Sequence, residues 1–288
     1  MANLKEIRTR ISSVSSTRQI TSAMKMVAAA KLRKAQSAAT RLMPYGDKMR
    51  DMLTVLCETL RDEGSPYTAN RNCKKVLAVA ISSNKGLCGA FNTNIIKAVV
   101  AFDAQLKSEN ANVGVDYYCI GRKISETVQK SGFNVYKSDL EVVDSGDFEK
   151  SKAIALELAE LFINGVYDKI YIISNKFVNA AVQNMEINDF LPLKFDSQVS
   201  KIKNDYIFEP DKTEILNTVI PMWLSTMLYT LITESAAGEQ GARMTAMSKA
   251  TDNATELIKD LNLIYNKVRQ ASITNEIIEI VSGADAAK

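Results

Sequence analysis

No histidine occurs anywhere in the 288 residues. That removes the commonest general base, the commonest metal ligand and every Ser–His or Cys–His nucleophile pair, which weighs against catalysis. Cysteine is sparse. Cys57, Cys73, Cys88 and Cys119 show no CxxC or other metal spacing, so free thiols are expected. Read along the chain, there is no apolar run of about 18 residues, and no membrane-spanning helix is expected. The start, MANLKEIRTR, lacks the apolar segment of a signal peptide and reads as a cytosolic N-terminus. What remains is an ordinary globular composition, on a chain long enough to bury a sizeable core.

Charge is less ordinary than the net of +3 suggests. Residues 1–50 hold eleven Lys/Arg against Glu6 and Asp47, a net of +9, which leaves the remainder near −6. At about 100° per residue, Lys5, Lys34 and Arg41 fall on one side of a helix and Arg18, Lys25 and Arg50 on the other. A DNA-reading helix would gather its bases on one face. A membrane-surface helix would oppose them with Trp, Phe and Leu. Here the positive charge is radial.

The stretch ITSAMKMVAAAKLRKAQ (20–36) is rich in strong helix formers yet has few large side chains. It belongs to a first helical segment, about 3–43, that meets no Gly or Pro before Pro44. Leu4, Ile7, Ile11 and Val14, then Ala28, Leu32, Ala35, Ala39 and Leu42, fall on a heptad that calls for a partner helix. Arg18, Thr21 and Lys25 interrupt this seam. A last helical segment, about 211–282, begins at EPDKTE. It is expected to kink at Pro221 and to stop at Gly283. There Leu257, Leu261, Ile264, Val268, Ala271 and Ile278 repeat the heptad spacing.

Between them, KVLAVAI (75–81), GVDYYCI (114–120) and KIYIIS (169–174) have strand composition and alternate with helical stretches near 90–108, 122–131 and 149–164. That alternation predicts a largely parallel sheet. The expected fold is therefore α/β: a long antiparallel coiled coil of the terminal helices, expected to pack only on each other, with an inserted Rossmann-like α/β domain. Its expected divisions are 1–60, 70–205 and 206–288. Residues 20–30 and AAGEQGARMTAMSKA (236–250) are rich in small side chains, as expected of a shaft that passes closely through something else.

SSNKGLCGAFN (82–92) follows a strand and opens a helix, where a phosphate loop would sit. It fits neither GxGxxG nor GxxxxGKS and reads more simply as a tight turn. The acid pairs Asp144/Asp147 and Asp252/Glu256 read as caps and solvated helix charges. No catalytic, cofactor or metal residue is singled out.

IRTRISSVSSTRQITSAMKMVAAAKLRKAQ resembles the N-terminal helix of the γ subunit of F-type ATP synthase, and ESAAGEQGARMTAMSKATDNATELIKDLNLIYNKVRQASITNEIIEIVSGA resembles that family's C-terminal helix. SSNKGLCGAFN is similar to its first βα turn. The family often has an acid and a base where Asn84 and Lys85 stand, and His and Ala where Gln240 and Gly241 stand. Gly241 is expected to loosen the shaft locally. The resemblance implies a single-copy, non-catalytic axle without cofactor inside a ring of three α and three β subunits. Its α/β foot would rest on the c-ring with the ε subunit. It would be peripheral to the membrane, on the cytoplasmic face of a bacterial inner membrane. Neither a transit peptide nor a cysteine-bearing regulatory insert points to an organelle. By the same resemblance Met24, Lys25, Arg243, Arg269, Gln270, Thr274 and Glu276 would contact the ring, and Tyr206 and Glu209 the c-ring foot. The alternatives are a Rossmann-like nucleotide-binding enzyme and a basic coiled-coil nucleic-acid-binding protein.

Overall fold

The computed structural model describes residues 4–59, 66–69, 71–109, 112–180, 182–193 and 212–286. Two compact units divide the chain: Ala29–Arg243, and Met1–Ala28 with Met244–Lys288. The first is called here the α/β unit and the second the helix-pair unit. Two long helices, α1 (Leu4–Thr59) and α6 (Lys212–Ala286), contribute to both.

In the α/β unit the chain runs β1 (Lys75–Ile81), α2 (Phe91–Glu109), β2 (Gly114–Ile120), α3 (Arg122–Lys130), β3 (Asn134–Asp139), α4 (Val142–Ser145), α5 (Phe148–Ile163), β4 (Lys169–Phe177) and β5 (Gln183–Leu191). The five strands lie in the order β3-β2-β1-β4-β5, all pairs parallel except β4 with β5. β1 and β2 are the expected strands residue for residue, and β4 extends three residues further. β1 is apolar almost throughout because both of its faces are covered. Val76, Ala78 and Ala80 pack with Ile95, Val99 and Phe102 of α2 and Ile124 and Val128 of α3. Leu77, Val79 and Ile81 face the other way, onto α5, α6 and Leu53 of α1.

This second layer corrects three expectations. The terminal helices do not pack only on each other: Leu216, Ile220, Leu224, Leu228 and Ile232 of α6 join the sheet core, each 0–3% exposed. A long apolar run does exist, since residues 215–233 carry no charge. α6 is long and apolar enough to cross a membrane by length and composition, with a mean hydropathy of 1.5 in its 18-residue window. The core packing explains that composition. Finally, α1 continues through Pro44 and Gly46 to Thr59. Met49 and Leu53 keep the heptad buried beyond the proline, and that packing outweighs a cost of about 3 kcal/mol for an interior proline. α6 likewise runs without interruption through Pro221 and past Gly283.

In the helix-pair unit α1 and α6 are antiparallel. Arg8 Nη2 donates to the Tyr265 hydroxyl at 2.8 Å, Thr251 Oγ1 lies 2.9 Å from Thr21 Oγ1, and Lys25 Nζ donates to Ser248 Oγ at 3.0 Å. As α1 advances from 8 to 25, α6 retreats from 265 to 248. The less exposed positions on α1 are the expected Leu4, Ile7, Ile11 and Val14, followed by Arg18 and Thr21. On α6 the seam is Met247, Thr251, Ala254, Ile258, Leu261, Tyr265, Val268 and Ser272. Leu261 and Val268 were expected there. Leu257, Ile264, Ala271 and Ile278 instead face solvent.

Candidate functional site

The register of the helix pair decides which shaft residues are available. Extrapolated from those three contacts, Leu4 falls opposite position 269, and α6 extends 17 residues beyond it to Ala286. Arg269, Gln270, Thr274 and Glu276 lie at or beyond that limit and are exposed. Thr274 Oγ1 bonds back to the Gln270 carbonyl at 2.9 Å, and Ser272 Oγ lies 3.4 Å from Glu276 Oε1. The guanidinium of Arg269 and the amide of Gln270 therefore face outward on consecutive positions. Large apolar side chains share this exposure: Ile273, Ile277, Ile278, Ile280 and Val281 are 47–71% exposed. Lower on the pair, Met24 is half-buried and Lys25 is exposed but bonded to Ser248. Ile20, Met26 and Val27 form a second exposed apolar band on α1.

Arg243 is placed differently. It is buried in the α/β unit, at the carboxyl end of the sheet. In doubly wound folds ligands bind there, where the strand order reverses, here between β1 and β4. α6 occupies that crevice itself. A Cβ on Gly238 would stand 3.3 Å from Gln183 and 3.4 Å from Phe91, and one on Gly241 would stand 3.1 Å from the Cα of Ala180. The small residues of this stretch thus serve close helix–sheet approach, and Gly241 is a packing glycine. Arg243 Nη2 donates to the carbonyls of Lys85 and Gly86 at 3.3 and 3.2 Å, and Nη1 pairs with Glu239 Oε1 at 2.5 Å. Burial pushes the Glu239 carboxyl above its ordinary value against the opposing pull of Arg243.

This geometry answers the phosphate-loop question. A phosphate loop aims N–H groups at an anion, whereas the 85–86 turn aims carbonyls at a cation. The first amides of α3 are also taken: Arg122 N by Asn84 Oδ1 (2.9 Å), Lys123 N by the Ser83 carbonyl (3.1 Å) and Ile124 N by Ser82 Oγ (3.0 Å). Asn84 further donates to the Leu140 carbonyl and to Asp144, tying three loops together. Asp144 is thus a loop tie, while Asp147 caps α5 by accepting from Glu149 N at 3.0 Å. Cys73, Cys88 and Cys119 are free thiols, and among the described residues no group of three His, Cys, Asp or Glu is placed to hold a metal ion. Tyr206 and Glu209 lie outside the described residues. Sequence reasoning missed Glu239 and the inward role of Arg243, although their four-residue spacing on a helix is the signal of an ion pair.

An antiparallel helix pair with exposed apolar flanks, and an α/β unit whose ligand crevice holds its own helix, define a protein built for contact with other chains. A family model described as ATP synthase matches residues 3–287. ATP synthase gamma chains of Christiangramia forsetii and Flavobacterium psychrophilum are each 53% identical to this chain, over 99% and 100% of both lengths. That of Chlorobium limicola is 41% identical over the full length of both. The chain belongs to the ATP synthase gamma chain family. Its fold is that of a chain in the OSCP/F1/c-ring structure of Euglena gracilis mitochondrial ATP synthase (TM-score 0.68, 22% identity, 98% of this chain and 94% of that one). It is also that of a chain in the central stalk/c-ring structure of the Tetrahymena thermophila enzyme (TM-score 0.58, 24% identity, 80% and 99%).

Proposed function

We propose that this chain is the non-catalytic central-stalk rotor of an F-type ATP synthase, coupling proton flow through the c-ring to ATP synthesis or hydrolysis at the β subunits. The observation that carries this reading is the end of α6, apolar and exposed beyond the reach of α1. Exposed apolar surface of that kind marks an interaction site, and a ring of three α and three β subunits supplies a sleeve for it. Family membership supports the same reading. One copy sits in each complex, with the ε subunit and the c-ring at the foot, peripheral to the cytoplasmic face of a bacterial inner membrane. It holds no cofactor.

In this reading residues 1–60 and 206–288 form the axle and 70–205 the foot. Met24, Lys25, Arg269, Gln270, Thr274 and Glu276 meet the ring, and Tyr206 and Glu209 the c-ring side. Arg243, buried against the 85–86 turn, stands apart from these contacts. The chain performs no bond chemistry. It presents different side chains to three equivalent neighbours, and the differential contact free energy shifts each between its states.

The test is Arg269→Ala with Gln270→Ala, introduced together. Their side chains are exposed, so assembly is expected to survive, with subunit content checked by gel. Loss of a charge-assisted hydrogen bond worth about 1.5–3 kcal/mol is expected to lower ATP-driven proton pumping about tenfold or more. Normal assembly with pumping and hydrolysis both at wild-type level would reject the role.

A further inference from the structure

Arg243 is the last residue of the α/β unit on α6, the point from which the helix continues into the helix-pair unit. Its guanidinium reaches two successive carbonyls with one nitrogen and a carboxylate with another. A planar fork does this from two nitrogens held apart, whereas an ammonium would have to serve all three acceptors from one atom. Glu239, one helical turn earlier, takes Nη1 and so orients Nη2 toward the β1–α2 turn. With the carbonyls of Lys85 and Gly86 drawn toward α6, the next residue, Leu87, takes φ 64°, a left-handed conformation uncommon for a bulky side chain. Leu87 is 64% exposed, while Cys88 directly after it is buried against Ser83 and Asn92. The fork therefore sets which way the turn points: Leu87 out and Cys88 in.

We propose that the Glu239–Arg243 pair is a latch that positions the β1–α2 turn on α6, and that it transmits displacement of α6 to the carboxyl end of the sheet. Arg243 is a positioning residue acting inside the chain, not a contact to a partner. The latch stands on the geometry alone, whereas its effect on coupling rests on the rotor reading above.

The experiment uses the isolated full-length chain and the assembled complex, with Arg243→Gln, Arg243→Lys, Arg243→Ala and the milder Glu239→Gln. In the isolated chain, alkylation by N-ethylmaleimide is followed at each cysteine by mass spectrometry, alongside amide exchange over residues 84–90. The expected result is faster alkylation of Cys88, by about tenfold for the loss of one charge-assisted bond. Cys119, buried in β2, should keep its wild-type rate. Arg243→Lys should not restore protection, whereas guanidinium ion at sub-denaturing concentration should restore it to Arg243→Ala. In the complex, protons pumped per ATP should fall in the same variants. An unchanged Cys88 rate would overturn the latch, and so would Cys88 and Cys119 rising together, which would signal general unfolding. An opened turn with undiminished pumping per ATP would overturn the transmission. Loss of coupling with the turn still closed would place Arg243 against a partner instead. Failure of the rotor reading looks different, because the wild-type chain would then not enter the complex at all.

Discussion

One helix serves two environments by changing its period. Over 216–232, α6 buries an apolar residue every fourth position, a ridge laid against the sheet core with Ser225 and Thr226 buried beside it. Over 247–272 it turns residues four and three apart toward α1, the average of 3.5 that a helix pair requires. In the α/β unit the apolar side chains of α6 find partners in the sheet core. In the helix-pair unit many do not, and Leu263, Ile277 and Ile280 remain open to solvent. The apolar residues of α6 are therefore largely core in one region and divided between a seam and solvent-exposed surface in the other.

The sharpest way to break that comparison is to truncate one leucine in each region. Leu228→Ala removes a side chain packed between α6 and the sheet, and a cost of about 2–5 kcal/mol is expected. Leu263→Ala, 62% exposed in the helix-pair unit, is expected to stay within about 0.5 kcal/mol. Urea unfolding followed by helix circular dichroism and by the fluorescence of Trp223, the single tryptophan, measures both. Equal costs would erase the distinction.

A chemical probe sharpens the same contrast. Tyr117, Tyr118 and Cys119 stand consecutively on β2, all fully buried. Burial raises the two phenols above their ordinary value, for Tyr117 with the added push of Asp103, and pushes the Cys119 thiol up to about 12. The folded chain then holds protons that the unfolded chain releases. Their stabilising contribution is complete below the unfolded values, about 8.5 for Cys and 10 for Tyr, and is lost as pH rises above them. Each such group removes about 1.4 kcal/mol per pH unit over that window. The α/β unit should lose its Trp223 signal in a cooperative alkaline transition in step with the last of the phenolate absorbance, that of its buried tyrosines. Full phenolate absorbance from all ten tyrosines with the fluorescence intact would show that β2 is wet.

What was legible in the sequence follows from the same physics. β1 and β2 could be read residue for residue because they are covered on both sides and are core residues over Val76–Ile81 and Tyr117–Ile120. β3 (NVYKSD) and β5 (QNMEINDFL) escaped because they are edge strands, with Lys137 and Glu186 where a buried strand would be apolar. The seam of α1 was legible over residues 4–14 because every position between Leu4, Ile7, Ile11 and Val14 is polar or charged. That of α6 was misread because Leu257, Leu263 and Ile264 put apolar residues on a face α1 does not cover. Periodicity gives a spacing, but it cannot choose between two apolar faces of one helix. Arg243 was placed by family resemblance on the outside, and only the turn carbonyls reveal what its guanidinium does.

The smallest expected effect concerns how the helix pair keeps its register. Its seam is interrupted by hydroxyls and an ammonium, Thr21 with Thr251 and Lys25 with Ser248. Polar layers in a coiled coil contribute little stability, yet they discriminate against shifted pairings in which they meet apolar partners. Changing Thr21, Lys25, Thr251 and Ser248 together to Val, Leu, Val and Leu should alter stability by only about 1 kcal/mol, the net worth of such bonds. It should nonetheless admit pairings displaced by a heptad. The bond from Arg8 to Tyr265 remains in this variant, but an exposed contact of that kind is worth less than about 1 kcal/mol and should not hold the register alone. Spin labels at the exposed Ser12 and Asn262, which lie near one another at the observed register, report the outcome. The wild-type chain should give one narrow distance, and the variant additional populations displaced along the axis by about 10.5 Å, seven residues at 1.5 Å each. An unchanged single distance would mean that the apolar knobs Ile7, Ile11, Ile258 and Leu261 set the register by shape alone. The polar layer would then be left without a part in the pairing.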